Sequence, residues 1–183
     1  AEARDAIGRL ARADAPLLEG LADLQLKGSI PGDRLAAAPF VGAALQAWFS
    51  ALAGGLEPVT GTTSSGDCPI CGARPVAGVI DGTTRRRHLH CSLCGAAWNV
   101  LRSICVSCGD DAGLCYLHLE HDESAKAEAC GGCGGYVKLF DQERRAGVEP
   151  VADDAATLAL DLLLAREGYR RLGASPFLAV AAS

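Results

Sequence analysis

Four Cys-X-X-Cys-Gly segments, at Cys68/Cys71, Cys91/Cys94, Cys105/Cys108 and Cys130/Cys133, constrain this chain more than any other feature. Two intervening residues let both sulfurs of a pair point at one ion. Gly72, Gly95, Gly109 and Gly134 follow the second cysteines, where a positive φ turns backbone N–H groups toward the sulfurs. Eight of the nine cysteines fall into this pattern, which suits metal knuckles in a reducing compartment better than secreted disulfides. The expected location is therefore the cytoplasm.

The pairs repeat at fixed intervals. Cys68 to Cys105 and Cys71 to Cys108 are both 37 residues, and Cys91 to Cys130 and Cys94 to Cys133 are both 39. An internal duplication explains this. Its unit is a knuckle, a short hairpin, a second knuckle and a strand carrying an aromatic, Trp98 in one copy and Tyr136 in the other. That unit is a rubredoxin-like or zinc-ribbon module. Site one is assigned to Cys68, Cys71, Cys91 and Cys94, and site two to Cys105, Cys108, Cys130 and Cys133. Spacing alone leaves open an interleaved cross-brace that pairs the first knuckle with the third. Each site calls for one tetrathiolate ion, iron of the rubredoxin type or zinc. The ion either staples a core too small to fold alone or serves as a redox centre. A thioredoxin-type dithiol fits less well, because four equivalent pairs suit ligands rather than one poised nucleophile.

Around the knuckles the chain reads as α+β. Residues 1–66 form a helical N-terminal region with a linker: Ile7, Leu10, Leu17, Leu18, Leu21 and Leu24 recur at helix-like intervals, and the Gly, Ser and Thr of residues 54–67 have linker composition. Residues 67–102 and 103–145 are the two rubredoxin-like modules, with strands expected at 76–80, 98–101, 114–119 and 136–140. Residues 146–183 hold a C-terminal helix and tail. Leu158, Leu160, Leu162, Leu163 and Leu164 make that helix so apolar that full burial is expected, with Ser175, Pro176, Phe177 and Leu178 docking beside it.

Charge narrows the functions. Four thiolates around a divalent ion leave −2 per site, which takes the formal −5 of the chain to about −9, and such a chain repels phosphate backbones. The uncharged stretch 35–56 is long enough to cross a bilayer, but Pro39, Gln46 and its Ala and Gly content favour a buried or partner-facing helix over membrane insertion. No segment resembles a signal peptide. Ala1 at the start and the absence of Met mark a fragment or processed product whose true start lies upstream. Cys115 reads as a small buried hydrophobe. With eight thiolates available, His88, His90, His118 and His121 read as solvent-facing or supporting groups. Arg85, Arg86 and Arg87 form a basic hairpin tip, either solvated or in contact with an anion. No phosphate-binding loop or Ser/His/Asp arrangement is present, so neither an enzyme nor a small-molecule substrate is expected.

The flanking residues resemble a known family. Cys68-Pro69-Ile70-Cys71-Gly72 with Pro75-Val76-Ala77, Leu89-His90-Cys91-Ser92-Leu93-Cys94 with Trp98 and Arg102, and Lys126 to Cys130 with Tyr136-Val137-Lys138 are similar to the FdhE-type formate dehydrogenase accessory proteins. So is the ending, from Glu149-Pro150-Val151-Ala152-Asp153-Asp154 through Glu167-Gly168-Tyr169 to Ser175-Pro176-Phe177-Leu178. The similarity covers residues 68–178, and the N-terminal helices in character only. It implies a cytoplasmic, non-catalytic factor required for active respiratory formate dehydrogenase, which contacts the molybdopterin- and selenocysteine-containing catalytic subunit before export. It further implies a helical N-terminal domain, tandem rubredoxin-like modules and a metal for which iron is a candidate beside zinc. Family members are longer than this chain. Two other readings stand beside it, a zinc-ribbon nucleic-acid-binding module and a rubredoxin-like electron carrier.

Overall fold

The computed structural model describes residues 2–120, 122–173, 175, 177 and 178, with backbone alone at 122–124. His121 and Pro176 lie outside the described residues. Three helices open the chain: α1 (Glu2–Leu10), α2 (Ala15–Leu26) and α3 (Ala38–Ala53), the last preceded by a 3-10 turn at Gly32–Ala37. Asp14 caps α2 by accepting from the Leu17 N–H, with Pro16 in the first turn where its missing donor costs nothing. Gly32–Ala53 is long and apolar enough to cross a membrane by length and composition. In the fold it is a docked helix: Phe49 and Ala53 pack on the core of the first module, while Trp48 and Leu52 stay exposed.

The sheet begins at β1 (Thr62–Thr63) and continues through β2 (Pro75–Ile80), β3 (Arg87–Cys91), β4 (Ala97–Val100), β5 (Leu114–Leu119), β6 (Asp122–Cys130) and β7 (Gly135–Asp141). After α4 (Pro150–Ala156) and α5 (Leu158–Arg166), β8 (Arg170–Arg171) returns to pair with β7. The spatial order is β1-β4-β3-β2-β7-β6-β5. Each module is a three-stranded antiparallel meander, and β2 pairs with β7 in parallel, so one sheet runs through both modules.

Four expected strands are present within a residue of their predicted ends, and four more join them among the described residues: the two-residue β1 and β8, and the longer β3 and β6. β3 and β6 are built from Arg87-His88-Leu89-His90-Cys91 and from a segment rich in Ala, Lys, Glu and Asp, which carry little strand preference of their own. β6 lies between β5 and β7, so two ladders of backbone hydrogen bonds override its local preference. Gly78 marks the join between modules. A Cβ there would run into the Leu139 side chain on β7, so glycine permits the close approach of β2 to β7.

One core cluster unites Ile80, Leu89, Trp98 and Val100 of the first module with Val106, Val137 and Leu139 of the second. Another sets Leu160 and Leu164 of α5 on Ala127, Ala129 and Tyr136. The expectation of a fully buried C-terminal helix needs correction. Leu160 and Leu164 are buried, but Leu158, Leu162 and Leu163 are 42%, 61% and 45% exposed, because α5 crosses the sheet with one face only. The helix is also divided at Thr157, whose φ of −105° and ψ of 30° leave the helical region. The Thr157 hydroxyl donates to the carbonyls of Asp153 and Asp154, and Lys138 Nζ donates to the Asp154 carbonyl as well. The tail takes a different seat from the expected one. Ser175 and Leu178 line a cleft of about 570 Å³ with Leu26, Leu45 and Ala73, between the N-terminal helices and the first knuckle.

Buried ions fix the helices and modules to each other. Lys138 on β7 is fully buried and bonds Asp154 Oδ1 at 2.8 Å and Asp161 Oδ2 at 2.6 Å. Arg171 on β8 also pairs with Asp154, and Tyr136 donates to Asp161 at 2.7 Å. Two cations thus face two carboxylates.

Candidate metal centres

The fold collects the cysteines into two groups, Cys68/Cys71/Cys91/Cys94 and Cys105/Cys108/Cys130/Cys133, with all sulfurs of a group within 4.8 Å of one another. Knuckles adjacent in sequence are joined, because the β2–β3 and β5–β6 hairpins each return the chain to the end where it began. The interleaved pairing is not formed. At each knuckle the residue after the second cysteine is a glycine in the left-handed region, with φ of 74°, 71°, 79° and 68° at Gly72, Gly95, Gly109 and Gly134. Three of these glycines donate to the carbonyl of the first cysteine of the pair, at 2.8–2.9 Å.

Backbone donors point at the sulfurs, as the spacing requires. Cys91 Sγ accepts from the N–H groups of Leu93 and Cys94 at 3.3 Å, Cys105 Sγ from Ser107 at 3.4 Å, and Cys133 Sγ from Gly135 at 3.4 Å. Such bonds stabilise negative sulfur. Sulfur–sulfur separations are 3.4 and 3.6 Å in the first group and 3.7 and 3.8 Å in the second. Four ligands at about 2.3 Å from a central ion in a tetrahedron stand about 3.8 Å apart, so each group can hold one metal ion.

The thiols by themselves resist such crowding of charge. Burial pushes Cys94 up to about 11 and Cys105 up to about 12, and it raises Cys91 further still. Cys71 goes the other way, because the Ala73 N–H and neighbouring thiols outweigh its burial; Cys133 does likewise through Gly135. Four sulfurs at these distances become anionic together only with a cation among them.

The other candidate residues fall outside both groups. Cys115 is half-buried against α5 in the apolar cluster of the second module, its sulfur 3.6 Å from the Tyr169 hydroxyl. His118 is exposed on β5. His90 is half-buried, and its desolvation, with His88 adding to it, pushes the imidazole down to about 4, so it is neutral at pH 7. Of the two readings of the basic tip, solvated or in contact with an anion, the second holds for Arg85, which lies in the β2–β3 turn, and for Arg87 at the start of β3. Arg85 forms two hydrogen bonds to Asp141 at 2.7 and 2.8 Å, and Arg87 is buried in an ion pair with Glu128, both acids coming from the second module. Arg87 also reaches the Leu101 and Ile104 carbonyls of the inter-module segment. Sequence reading missed these pairs, since nothing in an Arg-Arg-Arg run signals acids 41 and 56 residues away.

Two tetracysteine groups on one sheet, flanked by helices, define a tandem zinc-ribbon, rubredoxin-like metal-binding protein. Comparison with known proteins narrows that class. Residues 1–62, 67–102 and 104–178 match the family descriptions "FdhE, N-terminal", "FdhE, central domain" and "FdhE, C-terminal domain". The chain belongs to the FdhE family. It is 40% identical to an FdhE homolog of Pectobacterium atrosepticum over 92% of its own length, and 38% identical to one from Cronobacter sakazakii over 94%. It spans 57% and 58% of those relatives. The crystal structure of the FdhE protein from Pseudomonas aeruginosa superimposes with a TM-score of 0.89 at 36% identity, covering 98% of this chain and 65% of that one.

Proposed function

We propose that the protein is an accessory factor for the formation of active respiratory formate dehydrogenase, and that it binds the catalytic subunit through its metal-bearing double module. The observation that carries this reading is the pair of tetracysteine groups on one continuous sheet, in a chain whose three parts all match the FdhE family. On this reading Cys68, Cys71, Cys91 and Cys94 hold one ion, and Cys105, Cys108, Cys130 and Cys133 hold the other. The units are the helical region with linker (1–66), the two modules (67–102 and 103–145) and the C-terminal helix with its tail (146–183). The factor works in the cytoplasm without membrane insertion and is not itself an enzyme.

When bound, the ions supply folding free energy, and iron would in addition supply a one-electron couple. The chain's own contribution is rigidity. Backbone N–H groups aim at the sulfurs, and the Arg85–Asp141 and Arg87–Glu128 pairs hold one module against the other. Engagement of two of the three arginines within the fold also removes the basic face that a nucleic-acid-binding ribbon requires.

Co-purification tests the proposal. The chain should retain the formate dehydrogenase catalytic subunit, and Cys91→Ala or Cys130→Ala should abolish retention. Variants that fold normally and still bind would show that the knuckles are not the docking element. Metal analysis with an optical spectrum of protein purified without oxygen identifies the ion; colourless protein with two zinc ions would exclude the redox role.

A further inference from the structure

We propose that the two centres have different tasks: the second is an exchange site that opens at Cys108 to soft donors, such as a partner's thiolate, and the first is a permanent staple. This rests on the reading that each group holds one ion.

The first group is roofed. Cys68, Cys91 and Cys94 are 3%, 1% and 4% exposed, and α3 lies across the knuckle that carries two of them. Gln46 Nε2 donates to the Ser92 carbonyl and Ser50 Oγ to the Cys94 carbonyl, both at 3.1 Å, while Phe49 and Ala53 pack on the cluster containing the sulfurs. The helix therefore closes the Cys91/Cys94 side, and the sulfur left least covered, Cys71, is half-buried where Cys108 is exposed.

The second group has no such roof. Its outside cover is the β8 segment, where Arg170 donates to the Gly134 carbonyl at 2.7 Å and its side chain reaches the Cys133 carbonyl at 3.4 Å. That cover protects the knuckle of Cys130 and Cys133. The tip of the opposite knuckle faces water: Ser107, Cys108 and Gly109 are all exposed, while Cys105 and Val106 are buried, with Gly66 packed on the Val106 backbone. Its neighbour Asp110 adds a second difference, with a carboxylate oxygen 3.8 Å from Cys130 Sγ. Once the sulfurs are thiolates around a divalent ion, that carboxylate stands beside a centre of net charge −2. The repulsion favours any step that removes one negative ligand. No carboxylate contacts a sulfur of the first group among the described residues.

Exchange then needs no redox partner. The bond between the ion and Cys108 Sγ breaks, the sulfur keeps its electron pair and takes a proton from water, and the incoming thiolate donates the pair that refills the fourth position. Cys105, Cys130 and Cys133 hold the ion meanwhile, since Cys105 and Cys130 are 4% and 1% exposed.

The test uses the full chain loaded with zinc and counted by elemental analysis. A chromogenic chelator is added without oxygen, and alkylation by N-ethylmaleimide is followed by peptide mass spectrometry. Release should be biphasic, one equivalent leaving roughly tenfold or more faster than the other. Cys108 should be the first of the eight knuckle cysteines alkylated. The Cys108→Ser variant should lose the fast phase and keep the slow one. Gln46→Ala with Ser50→Ala, which loosens the roof and leaves all eight sulfurs intact, should accelerate only the slow phase. Release of both equivalents in one phase, first alkylation at Cys71, or a fast phase that survives Cys108→Ser would each overturn the proposal. A count other than two ions before chelation would instead defeat the underlying assignment of one ion to each group.

Discussion

Replacing Lys138 by Met removes one charge from the buried network that fastens α4 and α5 to the second module. The amine is fully buried and makes four contacts: Asp154 Oδ1 at 2.8 Å, Asp161 Oδ2 at 2.6 Å, the Asp154 carbonyl at 2.7 Å and Thr157 Oγ1 at 3.1 Å. Asp154 has no exposed side-chain surface and Asp161 has 11%, so the two carboxylates would share Arg171 as their one remaining cation among the described residues, with the Tyr136 hydroxyl still on Asp161. Met fills most of the lysine stem, and the loss is therefore electrostatic rather than steric. Removing one member of a buried ionic cluster costs about 3–5 kcal/mol, which for a chain of this size lowers Tm by roughly 10 °C. Urea unfolding of the metal-loaded protein, followed by far-UV circular dichroism, measures it. Adding Asp161→Asn restores neutrality and should recover at least about 1 kcal/mol, because the second substitution relieves the charge left by the first. A loss below about 1 kcal/mol for Lys138→Met, or additive losses in the double variant, would refute the network as the fastening.

Gly173→Ala would drive a methyl group into the Pro75 carbonyl, so the tail must lift from the start of β2. A loss of about 1–3 kcal/mol is expected by the same unfolding assay, without change in metal content. The Arg85 guanidinium holds Asp141 below the usual 3.8, so its stabilisation is present above that value and is lost as pH falls through the lower folded value. Asp141→Asn should cost about 0.5–1 kcal/mol at pH 7, the half-exposed arginine being screened, and the gap to the parent should narrow as the pH falls below 3.8 through the lower folded value. Because burial raises Cys94, Cys105 and Cys91, metal binding must expel protons from thiols. Apparent affinity should fall as pH drops, with acidification of a weakly buffered solution on zinc addition. Stripping both ions with a chelator should melt the modules before α2, read as loss of β signal and exposure of Trp98, which is 1% accessible and bonded to the Ser65 carbonyl.

Local chemistry was legible in the sequence wherever a residue's role depends on its immediate neighbours. The knuckle glycines adopt positive φ because the two-residue spacing demands it, and the repeat intervals favoured successive pairing of the knuckles while leaving the interleaved one to be excluded by the fold. The strands rich in Val, Leu and aromatics declared themselves for the same reason. What depends on distant partners did not. The Asp122–Cys130 segment is a strand only because two neighbours offer it backbone ladders. Arg85 and Arg87 look like a solvated basic tip until the parallel β2–β7 pairing brings Asp141 and Glu128 to them. α5 has the composition of a buried helix, yet the sheet covers only one of its faces. Above all, the eight cysteines are equivalent in sequence, each in the same Cys-X-X-Cys-Gly frame. The position of α3 over one group and open water over Cys108 make them unequal, because exposure is a property of packing and no local pattern encodes it.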